Sequence, residues 1–172
     1  STGATGPQGP AGGDAAVNIS TLSTEELASL SLSQAASSVI DVTISSSPVV
    51  KFKVVDTNGN GIKGLGVTTK NNTTGLTGLS NMGFTLAKLV PGANGSPDYW
   101  VSYLVTTMPT VTSPTVAAQR PNTDSNGTLK DNGDGTYEYT FYRDITKVKD
   151  VVAAAKVTLP NDVADLQDLT YD

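Results

Sequence analysis

Apolar and polar residues alternate with a period of two, and this pattern narrows the available folds more than anything else in the chain. "VVKFKVV" sets Val50, Phe52 and Val54 against Lys51 and Lys53, and "TYEYTFY" sets Tyr137, Tyr139 and Phe141 against Thr136, Glu138 and Thr140. Successive side chains of a strand point to opposite faces, so each trio belongs to one face and to a common core. "VIDVTIS" repeats the pattern with Ile40, Val42 and Ile44. "FTLAKLV" puts Lys88 on the side of Phe84 and Leu86, with its stem on apolar surface and its ammonium toward solvent. "WVSYLVTT", from Trp100, is mostly apolar and reads as a more central strand. Together these are half-buried antiparallel strands.

The connections carry turn residues: "SSSP", "DTNGNG" from Asp56, "DSNGT" from Asp124 and "DNGDGT" from Asp131. Helical signals are fewer. In "LSTEELASL" Ser23 is the N-cap, Glu26 closes a capping box and Leu22 and Leu27 take the staple positions, predicting a helix at about 23–30. So short a helix needs a surface to dock on. "DITKVKDVVAAA" spaces Ile145, Val148, Val152 and Ala155 at helical intervals behind an Asp144 cap, and "NDVADLQDL" is a second short helical or turn segment. The sum is a mainly β fold of about seven or eight strands with two or three short helices, an antiparallel Greek-key barrel or an Ig-like sandwich.

A length of 172 residues suits one domain, assigned to residues 14–172. Residues 1–13 form a Gly/Pro-rich, collagen-like spacer with Gly3, Gly6, Gly9 and Gly12 in register. A triple helix needs a far longer run, so the stretch reads as a flexible or polyproline-like spacer, or as the tail of a longer repeat. Eleven basic against sixteen acidic residues give a formal charge of −5, which argues against nucleic acid as a partner. No apolar run reaches the ~18–20 residues of a membrane-spanning helix. The chain starts at Ser1, and any export signal is expected to have been removed or to lie outside these residues.

Cysteine and histidine are both absent. Disulfides, thiolate or imidazole metal sites, Cys nucleophiles, a Ser-His-Asp triad and c-type haem attachment are thereby excluded within the chain. Carboxylate, Lys, Tyr and Ser/Thr chemistry remains. "DTNGNG" matches the first half of a calcium loop through Asp56, Asn58 and Asn60, with Gly61 at the sixth position, but Val67 stands where a bidentate Glu belongs. "DNGDG" gathers Asp131 and Asp134 in the same way, and tight turns account for both stretches. A glycosidase needs two carboxylates across a cleft, and the spacing of Glu25, Glu26 and Glu138 does not call for one. Trp100 with Tyr99, Tyr103 and Tyr142 reads as core or rim packing, with an aromatic platform for a sugar or flavin as the alternative. Sequons at Asn18, Asn71, Asn94 and Asn126 are expected by chance in so Asn- and Thr-rich a chain.

"FTLAKLVPGANGSPDYWVSYL", "GTLKDNGDGTYEYTFYRDIT" and "ADLQDLTYD", in that order, resemble the N-terminal domain of outer-membrane decahaem c-type cytochromes, the OmcA/MtrC family. "LSTEELASL" and "SSPVVKFKVVDTNGNGIKGL" extend the resemblance over nearly the whole chain after the spacer. It implies a haem-free β-domain of a surface lipoprotein that passes electrons from a porin–cytochrome conduit to minerals, flavins or partner cytochromes. Haem c is then expected downstream, on other domains of the parent protein at the extracellular face of the bacterial outer membrane. No haem ligand carries over to any position here, and the segment is expected not to be an enzyme. The family's domain continues past "LTYD" with a further strand, so the resemblance implies truncation before the last strand. The rival reading is a stand-alone bacterial surface module for adhesion or carbohydrate binding.

Overall fold

The alternating segments pair into a four-stranded antiparallel sheet in the computed structural model, which describes residues 16–45, 47–109 and 117–147. In chain order the elements are β1 (Val17–Asn18), a 3-10 turn (Ile19–Thr21), α1 (Thr24–Ser29), β2 (Ser38–Thr43), β3 (Val49–Lys53), β4 (Ile62–Lys63), β5 (Thr68–Lys70) and β6 (Thr77–Leu79). There follow β7 (Ala87–Val90), β8 (Tyr99–Ser102), β9 (Val105–Pro109), β10 (Ala117–Pro121), β11 (Thr128–Asp131), β12 (Thr136–Thr140) and a 3-10 turn (Ile145–Lys147). The spacer, the expected helical segments beyond Lys147 and the block "ADLQDLTYD" lie outside the described residues.

The sheet runs β11-β12-β3-β2, and β5–β6, β7–β8 and β9–β10 are separate antiparallel pairs. β1 pairs with β4 in parallel. The fold is mainly β and sandwich-like, with no closed barrel among the described residues. Register brings Tyr137 opposite Phe52 and Tyr139 opposite Val50, so the inward residues of β12 and β3 meet on one face. Tyr137, Tyr139, Phe141 and Val50 are buried as the alternation requires. A second layer covers this face: Leu79 and Leu104 are buried in it, and Met82, Phe84 and Leu86 pack beside them. Phe84 stacks on Tyr139 with ring centroids 3.9 Å apart, and Phe52 stacks on Tyr137 at 5.2 Å. Burying each such ring contributes roughly 1.5–3 kcal/mol.

Several expectations need correction. Phe52 and Val54 are half-buried rather than fully in the core. β3 ends at Lys53, so Val54 already bends into the turn region, where its amide donates to the Gly135 carbonyl and the buried neighbour is Val55. Ile40, Val42 and Ile44 do not share a buried face. A bulge between Val39 and Asp41 sets Val39 opposite Phe52 and Val42 opposite Val50, and β2, an edge strand, is exposed throughout. Trp100 is 67% exposed, beside the exposed Leu89 on the neighbouring strand, while Val101, Tyr103 and Leu104 are buried.

α1 carries the expected capping box: the Glu26 amide donates to Ser23 Oγ at 3.2 Å and the Ser23 amide to Glu26 Oε2 at 2.7 Å. The bond from the Ser23 backbone, aided by the Ser23 hydroxyl and opposed by slight desolvation, holds the Glu26 carboxyl below its usual range. The helix nevertheless buries no residue, and Leu27 is 44% exposed. Local capping, rather than docking, defines this single turn and a half.

Candidate functional site

The most elaborate polar arrangement centres on Asp124, which is 2% exposed. Its Oδ1 accepts from the Tyr139 hydroxyl at 2.5 Å and from the amides of Asn126 and Gly127. Its Oδ2 accepts from the amides of Tyr142 and Arg143 at 3.1 and 3.2 Å. The Tyr139 hydroxyl also accepts from the Gly127 amide at 2.8 Å. Backbone bonds in both directions between Asp124 and Phe84 set the Phe84 ring on Tyr139. The Asp124 carboxylate therefore ties the turn before β11 to the chain leaving β12, and its backbone ties the same turn to Phe84 in the second layer of the core. Glycine is required at 127, because a Cβ there would lie 2.1 Å from the Thr140 carbonyl oxygen. Burial, then the bond to Asp124, lifts the Tyr139 phenol well above its ordinary range.

This arrangement is structural in its chemistry. Every donor that reaches the Asp124 carboxylate is a backbone amide or a buried phenol, so its oxygens are spent on holding the chain together. In the sequence alone, "DSNGT" reads only as a turn. The available signal was Tyr139 itself, since an inward-facing Tyr needs a partner for its hydroxyl and a turn Asp is a natural acceptor.

The calcium candidates are placed in two neighbouring turns. Asp56 Oδ1 accepts from the amides of Asn58 and Asn60 at 2.9 and 2.8 Å, and its Oδ2 accepts from Asn60 Nδ2 at 3.0 Å. Desolvation pushes the Asp56 carboxyl up, but the bonds from Asn60, Asn58 and Gly59 outweigh it and leave the carboxyl below its usual range. Asp131 accepts from the amides of Gly133 and Gly64, and Asp134 from the amide and hydroxyl of Thr136. Hydrogen bonds to Thr136, side chain first, likewise lower the Asp134 carboxyl. The two turns interlock at Gly61, where a Cβ would lie 2.1 Å from the Asp134 carbonyl oxygen. Among the described residues no three acidic side chains gather in one place. Glu25 and Glu26 sit on α1 and Glu138 on β12 between Lys130 and Lys51, so the structure does not pair them.

The remaining surface features are modest. Leu89 and Trp100 form an exposed apolar ridge on the β7–β8 hairpin. Tyr142 is exposed elsewhere and Tyr103 buried, so the four aromatic residues make no common platform. A shallow recess between the β5–β6 hairpin and the Ser125–Asn126 turn is lined by Thr69, Lys70, Asn71 and Asn126. Asn71 Oδ1 accepts from the amides of Thr73 and Thr74, and Asn126 Nδ2 donates to the Thr77 carbonyl. Asn18 similarly caps the first 3-10 turn.

No family model matches the chain, and no curated protein matches it. Among solved structures, the crystal structure of the outer membrane decaheme cytochrome OmcA is similar to it, with 21% identity and a TM-score of 0.49. The likeness covers 76% of this chain and 19% of that one, so the chain spans about a fifth of the cytochrome's length.

Proposed function

We propose that this chain is a haem-free structural and interaction domain of a cell-surface multihaem cytochrome that serves extracellular electron transfer. The observation that carries the reading is the ordered set of sequence blocks, from "FTLAKLVPGANGSPDYWVSYL" through "GTLKDNGDGTYEYTFYRDIT" to "ADLQDLTYD". The geometry agrees with it: the best-built polar cluster, around Asp124, fastens backbone to backbone, as a scaffold requires. On this reading the domain performs no chemistry of its own. It holds neighbouring haem domains in place and offers surface to partner cytochromes or a porin–cytochrome conduit, with minerals or flavins as eventual acceptors. Electrons bypass it, since thioether attachment and axial ligation need the Cys and His that the chain lacks. The parent would act at the extracellular face of the outer membrane.

The parent reading frame tests the assignment. Cys-x-x-Cys-His motifs are expected downstream of Asp172. A frame without any such motif overturns the reading.

One observation favours a second reading, a bacterial surface module for adhesion or carbohydrate binding. The 67% exposed Trp100 beside Leu89 is the kind of apolar, rigid surface that stacks on a sugar face. A glycan array probed with the chain and with Trp100→Ala separates the two. Glycan binding lost in the variant supports the second reading, and no binding leaves the first.

A further inference from the structure

We propose that Asn94 is a site of covalent self-modification, where the Gly95 amide closes a succinimide ring that opens to aspartate and isoaspartate. Five Asn-Gly pairs occur in the sequence, at Asn58, Asn60, Asn94, Asn126 and Asn132. Glycine offers no side chain to hinder attack by its own nitrogen, so all five are chemically competent in an unfolded chain. The fold removes four of them. Ring closure needs a free glycine amide and an asparagine side chain able to swing onto it.

The Gly59 amide is engaged with the Asp56 carbonyl at 3.1 Å. Asn60 is held by its side chain on Asp56 at 3.0 Å, and Gly61 is wedged against Asp134. Asn126 donates to the Thr77 carbonyl while Gly127 donates to Asp124 and Tyr139. Asn132 donates to Thr136 Oγ1, and Gly133 donates to Asp131 at 2.8 Å. Asn94 is different. It lies exposed in the β7–β8 loop, and among the described residues no hydrogen bond holds its side chain or the Gly95 amide. Nothing lies within 4 Å of the position a Gly95 Cβ would take. With φ at 54°, Asn94 is also the non-glycine residue that the described chain holds in the left-handed region. That conformation has a modest cost for any side chain, so departure from it meets little resistance.

The step balances without a cofactor. Solvent base removes the Gly95 amide proton, and the nitrogen bonds to Asn94 Cγ. The Cγ–Nδ2 bond breaks and ammonia leaves with a proton from water. Water then adds to either ring carbonyl, giving aspartate or, with one more main-chain carbon, isoaspartate. Either product makes the net charge one unit more negative than −5.

The test keeps the whole chain folded in mildly alkaline buffer, with a urea-unfolded sample in parallel, and maps both by peptide mass spectrometry that resolves isoaspartate. In the folded chain, Asn94 is expected to convert about tenfold faster or more than each of the other four, because those must first break hydrogen bonds. In urea the five rates should converge. Gly95→Ala should slow conversion at Asn94 and leave the other four unchanged. Equal rates at all five pairs in the folded chain would overturn the proposal. So would an Asn94 that stays intact while the urea sample converts.

Discussion

Alanine at position 124 would leave five donors, the Tyr139 hydroxyl and the amides of Asn126, Gly127, Tyr142 and Arg143, facing a buried void. The expected loss for Asp124→Ala is about 3–5 kcal/mol in a reversible urea titration, since uncompensated buried polar groups dominate such changes. Asp124→Asn keeps one acceptor oxygen but turns an amide toward donors, and should cost roughly 1–3 kcal/mol. A loss below about 1 kcal/mol for the alanine variant would show that water replaces the carboxylate.

Tyr137 gives a pH signature at the same scale. Its hydroxyl donates to the Ile62 carbonyl at 2.7 Å. Burial, opposed by a bond from the Leu65 amide and reinforced by the Asp131 charge, lifts the phenol from 10.0 to about 12. The folded value lies above the unfolded one, so the contribution to stability is complete below pH 10 and is lost as pH rises toward 12. The raised Tyr139 phenol adds to the same slope, so Tyr137→Phe should reduce the fall in stability above pH 10 without abolishing it, and an unchanged slope would contradict the assignment.

At the scale of elements, core and edge should respond differently. Phe52 is half-buried but stacks on Tyr137 and lies 5.5 Å from Phe84, so Phe52→Ala should cost about 2–3 kcal/mol, less than a fully buried ring. Ile40→Thr on the exposed β2 should change stability by only about 0.5 kcal/mol or less. A larger loss at Ile40 would mean that β2 is covered in solution.

The contrast also explains what the sequence made legible. Tyr137 and Tyr139 were readable because β12 is interior to its sheet, and alternation then maps onto burial without interruption through to Phe141 just past its end. β2 carries the same alternation, yet its bulge and edge position break the mapping. Alternation records which residues share a face, not whether another layer covers that face. The capping box of α1 was legible because it is local, spanning Ser23 to Glu26. Asp124 was not, because its partners come from residues 139, 142 and 143, a relation that only tertiary pairing creates.

For the molecule as a whole, the carboxylates of both Asp-rich turns are committed to backbone amides, so calcium should add little. Thermal melting with millimolar calcium and with a chelator is expected to coincide. A rise of several degrees with calcium would instead make Asp56, Asp131 and Asp134 ligands. On the proposed function, this chain is a colourless module of a protein that carries haem elsewhere. The most direct test is the visible absorption spectrum of the native parent protein beside that of the 172-residue chain. The parent is expected to show a strong Soret band and the chain none. A parent protein with no Soret band would contradict that reading.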